Sequence, residues 1–207
     1  LLIEKEAKII ILSHIGRPKG KIINGMSLEP ISKKLSQLLN MEILFNKNML
    51  NEKTIVEINN ISNGSVMMME NIRFYKEEEL NDDLFSKKIS SFGDIYINDA
   101  FSCSHREQAS IHKITKHIKE TYAGPLLKKE VEAINLVIKN KKEPVTCIIG
   151  GSKISTKIGV ISNLIKNVNN IVIVGAMANN FLAYKDVKIG KSLVEKNSEK
   201  IINKIYD

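Results

Sequence analysis

Arginine is scarce in this chain. Only Arg17, Arg73 and Arg106 occur among 207 residues, and lysine supplies the rest of the 31 basic side chains. Tryptophan is absent and aromatic residues make up 5 %. A ladder of aromatic and basic residues for stacking bases is therefore missing. The formal charge of +8 would permit a nucleic-acid partner, but the lysines are dispersed. They read as a solvated surface, and no nucleic-acid partner is expected. The two cysteines, Cys103 and Cys147, and the four histidines match no zinc spacing. The thiols are expected to be buried and free in a reducing cytoplasm, with no metal held by the protein itself. No window approaches eighteen uncharged apolar residues, which excludes a membrane-spanning helix. No secretory signal is visible and no solenoid repeat appears. The expected location is cytoplasmic.

Short apolar runs alternate with amphipathic stretches of helix length. The strand candidates are Lys8–Leu12, Glu42–Phe45, Ser65–Met69, Asp94–Asn98, Val145–Ile149 and Ile171–Val174. They are mostly continuous rather than alternating, as strands buried on both faces of a parallel sheet are. Helices are expected at Ser27–Leu39, with Leu28, Ile31, Leu35, Leu38 and Leu39 near one face, and at Asn81–Ser91, capped by Asn81. Further helices are expected at Lys157–Lys166 and Ala178–Lys185, and the last residues, EKIINKIYD, also read as helix. The alternation predicts an α/β fold of two doubly wound, Rossmann-like parallel-sheet domains. Between them, Gly124-Pro125 opens a long amphipathic helix that exits through the polar NKKEP, read as a hinge helix.

Each arginine lies just past a strand-like run, in AKIIILSHIGR, NGSVMMMENIR and DIYINDAFSCSHR. Scarcity alone fits codon bias, but the three positions do not. A planar guanidinium grips phosphate or carboxylate oxygens with two parallel hydrogen bonds, which lysine cannot imitate. Three such forks at carboxyl ends of strands predict a site for a small multiply charged anion. In SHIGRPKG, Gly16 makes a tight turn that presents His14 and Arg17. In MENIRFYKEEELND, Phe74-Tyr75 anchors the loop carrying Arg73. In INDAFSCSHR, Asp99 closes a strand, Phe101 is expected to plug the core, His105 to make a structural hydrogen bond, and Arg106 to donate to the anion. CIIGGSKISTKIG runs a strand into Gly150-Gly151 and then a helix, so backbone N–H groups can approach an anion. Lys153 and Lys157, four apart, are expected to share a helix face suited to nucleotide phosphates. VIVGAMANNF repeats the strand, glycine, helix order, with Gly175 allowing close approach. Neither loop has the Walker A spacing or the dinucleotide fingerprint.

Taken together, SHIGRPKG, ENIRFYKEEE, YINDAFSCSHR, AGPLLKKEVEAI, IIGGSKISTKIGVI, GAMANNF and IGKSLVE resemble phosphoglycerate kinases, in order and spacing, over essentially the whole chain. The resemblance implies a transferase that moves a phosphoryl group between 1,3-bisphosphoglycerate plus ADP and 3-phosphoglycerate plus ATP. It implies a phosphoglycerate-binding domain over 1–124, an interdomain helix over 125–141 and the start of a nucleotide-binding domain over 142–207. His14, Ile15, Gly16, Arg17, Arg73 and Arg106 would bind phosphoglycerate. Gly151, Lys153, Lys157 and Gly175 would bind ATP or ADP, whose phosphates carry Mg²⁺. Lys153 would follow the transferring group as the catalytic residue. The complete enzyme would be monomeric.

Two departures from the family pattern stand out. Gln108 replaces a histidine of the basic patch, and Ser152 stands in GGSK where GGAK is common. The family's Asp-Phe-Asn strand with the arginine after it, and its later nucleotide-binding residues, have no counterpart in the sequence. Both domains are thus expected to be incomplete and the chain inactive as it stands. The rival readings are an inactive remnant of that enzyme and a non-catalytic basic binding protein.

Overall fold

The structure, a computed structural model, describes residues 1–138 and 142–206. The chain divides into two compact units, Leu1–Glu130 and Val131–Asp207.

In the first unit, β1 (Ile9–Ile11), β2 (Ile43–Asn46) and β3 (Val66–Met69) form a parallel sheet in the order β1-β3-β2. Met67 sits between Ile10 and Leu44 in register. The run VMMM does not alternate in polarity because the sheet is covered on both sides. All four of its side chains are buried. Met67 and Met69 enter a core with Ile58, Ile72, Phe85, Ile89 and Ile114, while Val66 and Met68 pack with Leu28 and Ile43. The two-residue period of a strand sends alternate side chains to opposite faces, so β3, at the centre of the sheet, contributes buried side chains to both layers. Each methionine buried this way contributes about 1.5–3 kcal/mol.

Helix α1 (Glu29–Leu39) carries Pro30 in its first turn and stops at Asn40, which adopts a left-handed φ of 50°. It lies over β2, reaching the sheet through Leu28 and Leu35. Ile31, Leu38 and Leu39 of the expected apolar stripe are exposed instead. Helix α2 (Thr54–Asn60) was not expected. It is two turns long and buries only Thr54 and Ile58, too short a run to show a period. After a single turn, α3 (Lys76–Glu79), comes α4 (Asp83–Ser90). Its cap is Asp82, whose carboxylate accepts from Phe85 N at 2.8 Å, and not Asn81, which bends left-handed one residue earlier. Phe85 and Ile89 are buried.

A second parallel pair in this unit joins β4 (Ile95–Asn98) to β5 (Glu120–Ala123), with the one-turn α5 (Ile114–His117) between them. ETYA has no apolar run and is exposed throughout, so nothing in its composition marks it as a strand. Helix α6 (Pro125–Ile138) follows, and Asp99 caps it by accepting from Leu127 N at 2.9 Å. The boundary between the units falls inside α6. The expected polar exit of this helix begins in residues 139–141, outside those described.

In the second unit, β6 (Thr146–Gly150) and β7 (Asn170–Val174) pair in parallel, with Ile148 opposite Val172. Helices α7 (Ile158–Ile165), α8 (Ala176–Tyr184) and α9 (Glu199–Tyr206) enclose a core of Ile154, Ile161, Met177 and Ile202, all fully buried. Ile149 and Ile173 face this core, whereas Ile148, Val172 and Val174 are exposed. The expectation that the candidate strands are buried on both faces therefore fails for β4, β6 and β7, and β5, which was not expected, is exposed as well. Among the described residues, the pair β6-β7 is covered by helices on one face, and the apolar side chains of the other face meet solvent. No described helix is long and apolar enough to cross a membrane.

Candidate functional site

At the carboxyl end of the first sheet, Ile72 N donates to Ser13 O at 3.1 Å, so the loop after β3 lies beside the loop after β1. Arg73 is 5 % exposed. Its Nη1 donates to the Gly16 carbonyl at 3.0 Å, and its Nε is buried without a partner. The buried Nε of Arg106 is likewise unpaired. A buried cation whose donors are incompletely used is costly unless an anion completes it. The two guanidiniums therefore hold donors in reserve.

His14 stands with them. Burial first, and then the charges of Arg73 and Arg106, push its imidazole below the ordinary value of 6.5. A neutral ring at neutral pH still donates from one nitrogen and accepts at the other. Its Nε2 lies 3.9 Å from Cys103 Sγ. Both cysteines are free and half-buried, less enclosed than the sequence suggested.

Arg17 and Ile15 are exposed on the same loop. Gly16 has a φ of 67°, and a Cβ added there would fall 2.7 Å from Met26 Sδ. His105 is exposed, and Phe101 is half-buried in a short 3-10 turn rather than in the core. Gln108 is buried, as Arg73 is.

Three further polar residues under this site, Glu70, Asn71 and Glu78, lie in MENIRFYKEEELND, but the sequence reading gives none of them a role. Glu70, 8 % exposed, accepts from Ser27 Oγ at 2.7 Å, Leu28 N at 2.8 Å and Asn71 N at 2.7 Å. It thereby fixes the entry to α1. Glu78 accepts from Ser110 N at 2.9 Å and Ser110 Oγ at 2.7 Å, holding the segment after Arg106 onto α3. Asn71 is fully buried between the two arginine-bearing loops. The signal that could have found Glu70 and Asn71 is an acid or amide directly after a wholly apolar strand, where a polar group must be satisfied by its neighbours.

In the second unit, the turns after β6 and β7 abut. Gly175 has a φ of 68°, and a Cβ on it would lie 3.8 Å from the Gly151 carbonyl. That carbonyl also accepts from Met177 N at 2.8 Å, tying the first turn to the start of α8. Lys153 and Lys157 are both exposed, but they do not share a helix face. Lys157 is the cap of α7, and Lys153 lies in the turn before it. Burial of Ile154 and capture of Ser155 by Glu195 hold that turn out of helix. The carboxylate of Glu195 accepts from both Ser155 N and Ser155 Oγ. These bonds, with help from the charge of Lys153, keep its pKa below the ordinary carboxylate value. Among the described residues no cluster of three or more His, Cys, Asp or Glu could hold a metal ion.

Parallel strands flanked by helices, with an arginine and histidine cluster in one unit and exposed lysines in the other, define an α/β protein of two units. The sequence model of the family "Phosphoglycerate kinase" matches residues 1–207, and the chain belongs to that family. It is 44 % identical over 206 residues to a phosphoglycerate kinase of Wolbachia pipientis wMel, covering 100 % of this chain and 51 % of the relative. It is 42 % identical over 196 residues to that of Desulforapulum autotrophicum, covering 95 % and 50 %. Phosphoglycerate kinase from Coxiella burnetii superposes with a TM-score of 0.82 at 36 % identity, covering 99 % of this chain and 51 % of that structure. The enzyme from Pyrococcus horikoshii OT3 gives 0.86 at 27 % identity, covering 99 % and 55 %. The chain spans about half the length of the relatives it matches.

Proposed function

We propose that this chain carries the phosphoglycerate-binding part, and the beginning of the nucleotide-binding part, of a cytoplasmic phosphoglycerate kinase that is monomeric when complete. The reaction is reversible phosphoryl transfer between 1,3-bisphosphoglycerate plus ADP and 3-phosphoglycerate plus ATP. In this reading residues 1–124 take the phosphoglycerate, 125–141 connect, and 142–207 begin the nucleotide domain. The observation that carries it is the meeting of His14, Arg73 and Arg106, with buried guanidinium donors left open.

Transfer between two oxygens asks little covalent work of a protein, and positioning with charge neutralisation carries the catalysis. Arg73 and Arg106 would take the negative oxygens of 3-phosphoglycerate, with Arg17 reaching in from the exposed surface of its loop. Neutral His14 would hold a hydroxyl or carboxylate oxygen. The Gly151 and Gly175 turns would let the nucleotide approach the backbone, and Lys157 would bind its phosphates. Lys153 would neutralise charge developing on the transferring group. Mg²⁺ would arrive on the nucleotide as part of the substrate.

The test is titration of the 207-residue chain with 3-phosphoglycerate by calorimetry, beside a coupled assay with ATP, Mg²⁺ and 3-phosphoglycerate. Saturable binding without turnover is expected. Turnover would show that these residues suffice for the whole reaction. Absence of binding, with salt-sensitive binding of DNA in its place, would overturn the reading.

A further inference from the structure

Asn71 is the second residue after β3, and its side chain is 0 % exposed. Both donors and the acceptor of its amide are engaged. Nδ2 donates to the Ile15 carbonyl at 2.9 Å and to the Met26 carbonyl at 2.8 Å. Oδ1 accepts from the backbone N of Arg73 at 3.1 Å. The first two partners are the two ends of the loop that carries Arg17, and Ile15 is the neighbour of His14. The third belongs to the buried arginine. One small planar group thus spans both anion loops. Arg73 repeats the linkage one layer out by donating to Gly16.

We propose that Asn71 is a positioning residue, which sets the loop of His14 and Arg17 against Arg73 before any anion arrives. This rests on the phosphoglycerate reading for its purpose, though not for its geometry. The two donors of Nδ2 are essential to it, because both partners are carbonyls and only a donor can join them. Buried carbonyls stripped of their donors would turn to water and carry the loop with them. The donors of the two arginines would then no longer converge with His14 on one small ligand, and preorganisation would be lost.

The experiment follows the His14 ring by NMR in the wild-type chain and in Asn71→Ala, with the Met67 and Met69 methyl signals reporting that the first core is intact. In the folded variant the His14 titration midpoint should rise toward its ordinary range, as the ring leaves the arginines and meets water. Affinity for 3-phosphoglycerate should fall roughly tenfold. A purely structural role would lower Tm and leave the His14 midpoint where it was, and that result would overturn the proposal. If the wild type binds no 3-phosphoglycerate but the midpoint still moves, Asn71 keeps its role and the functional reading fails. If the wild type binds and the midpoint is unmoved, the reverse holds. Should Asn71→Ala not fold, the Nδ2 protons of the wild type decide. They should be protected from solvent exchange, and exchange at the rate of a free amide would remove the proposal.

Discussion

Glu78 and Ser110, 32 residues apart, are joined twice in the buried interior: the Ser110 amide and hydroxyl each donate to one carboxylate oxygen of Glu78, at 2.9 and 2.7 Å. The backbone supports this pair, with Ala109 N donating to Glu78 O at 3.0 Å. Tyr96 donates its hydroxyl to Ser110 O at 2.7 Å, and burial pushes that phenol up to about 12.

Burial raises the Glu78 carboxyl above the ordinary 4.5, outweighing the lowering by the Ser110 bonds and by the charge of Arg73. The folded state therefore holds this proton more tightly than the unfolded one. Its contribution to stability is fully present below the unfolded pKa and is lost as pH rises through the folded value. We expect the Tm difference between wild type and Glu78→Gln to shrink or reverse as pH rises from about 4.5 upward. A difference that stays level across thermal melts from pH 4 to 7 would show that Glu78 does not titrate in this window.

Arg73→Ala should weaken 3-phosphoglycerate binding by about 1–3 kcal/mol. It should also lower Tm, because the Gly16 carbonyl loses its donor. Calorimetry on a variant shown to be folded separates the two effects, and unchanged affinity would remove Arg73 from the site.

The turn before α7 should respond to the ionisation of Glu195. Its folded pKa lies below the ordinary carboxylate value, so the stabilisation is present above the unfolded pKa and is lost as pH falls through the folded one. The Ser155 amide proton, bonded to that carboxylate at 3.1 Å, should shift with a midpoint below 4.5. Glu195→Gln should abolish that step. Persistence of the step in the variant would assign it to another acid.

Met69 is 0 % exposed at the end of the central strand. Met69→Ala should cost about 2–5 kcal/mol of stability, read from urea unfolding. A loss below about 1 kcal/mol would mean that the surrounding Ile58, Ile72 and Phe85 close over the gap.

Much of the first unit is legible in the sequence. The run VMMM announces a doubly covered strand because its length and lack of alternation leave no face for water. The three arginines stand out by their positions, not their number, and two of them, Arg73 and Arg106, come to act on His14. What stays hidden has weak local signals. ETYA becomes β5 only because Ile95–Asn98 offers it a parallel partner, and α2 is too short to show periodicity. Lys153 and Lys157 mislead because spacing by four implies a shared helical face only when the segment is helical. Ile154 and the Glu195 carboxylate hold it as a turn.

The sequence by itself determined the α/β class, most of the strand and helix order, and the residue types gathered at the carboxyl ends of the strands. Those follow from local periodicity and from the chemistry of single side chains. Only the tertiary structure decided that Arg73 is buried with an open donor, that His14 is driven neutral, and that Asn71 bridges two loops. Burial and the fields of neighbouring charges depend on residues distant in the chain, here up to 92 positions from His14 to Arg106. No window of sequence contains them.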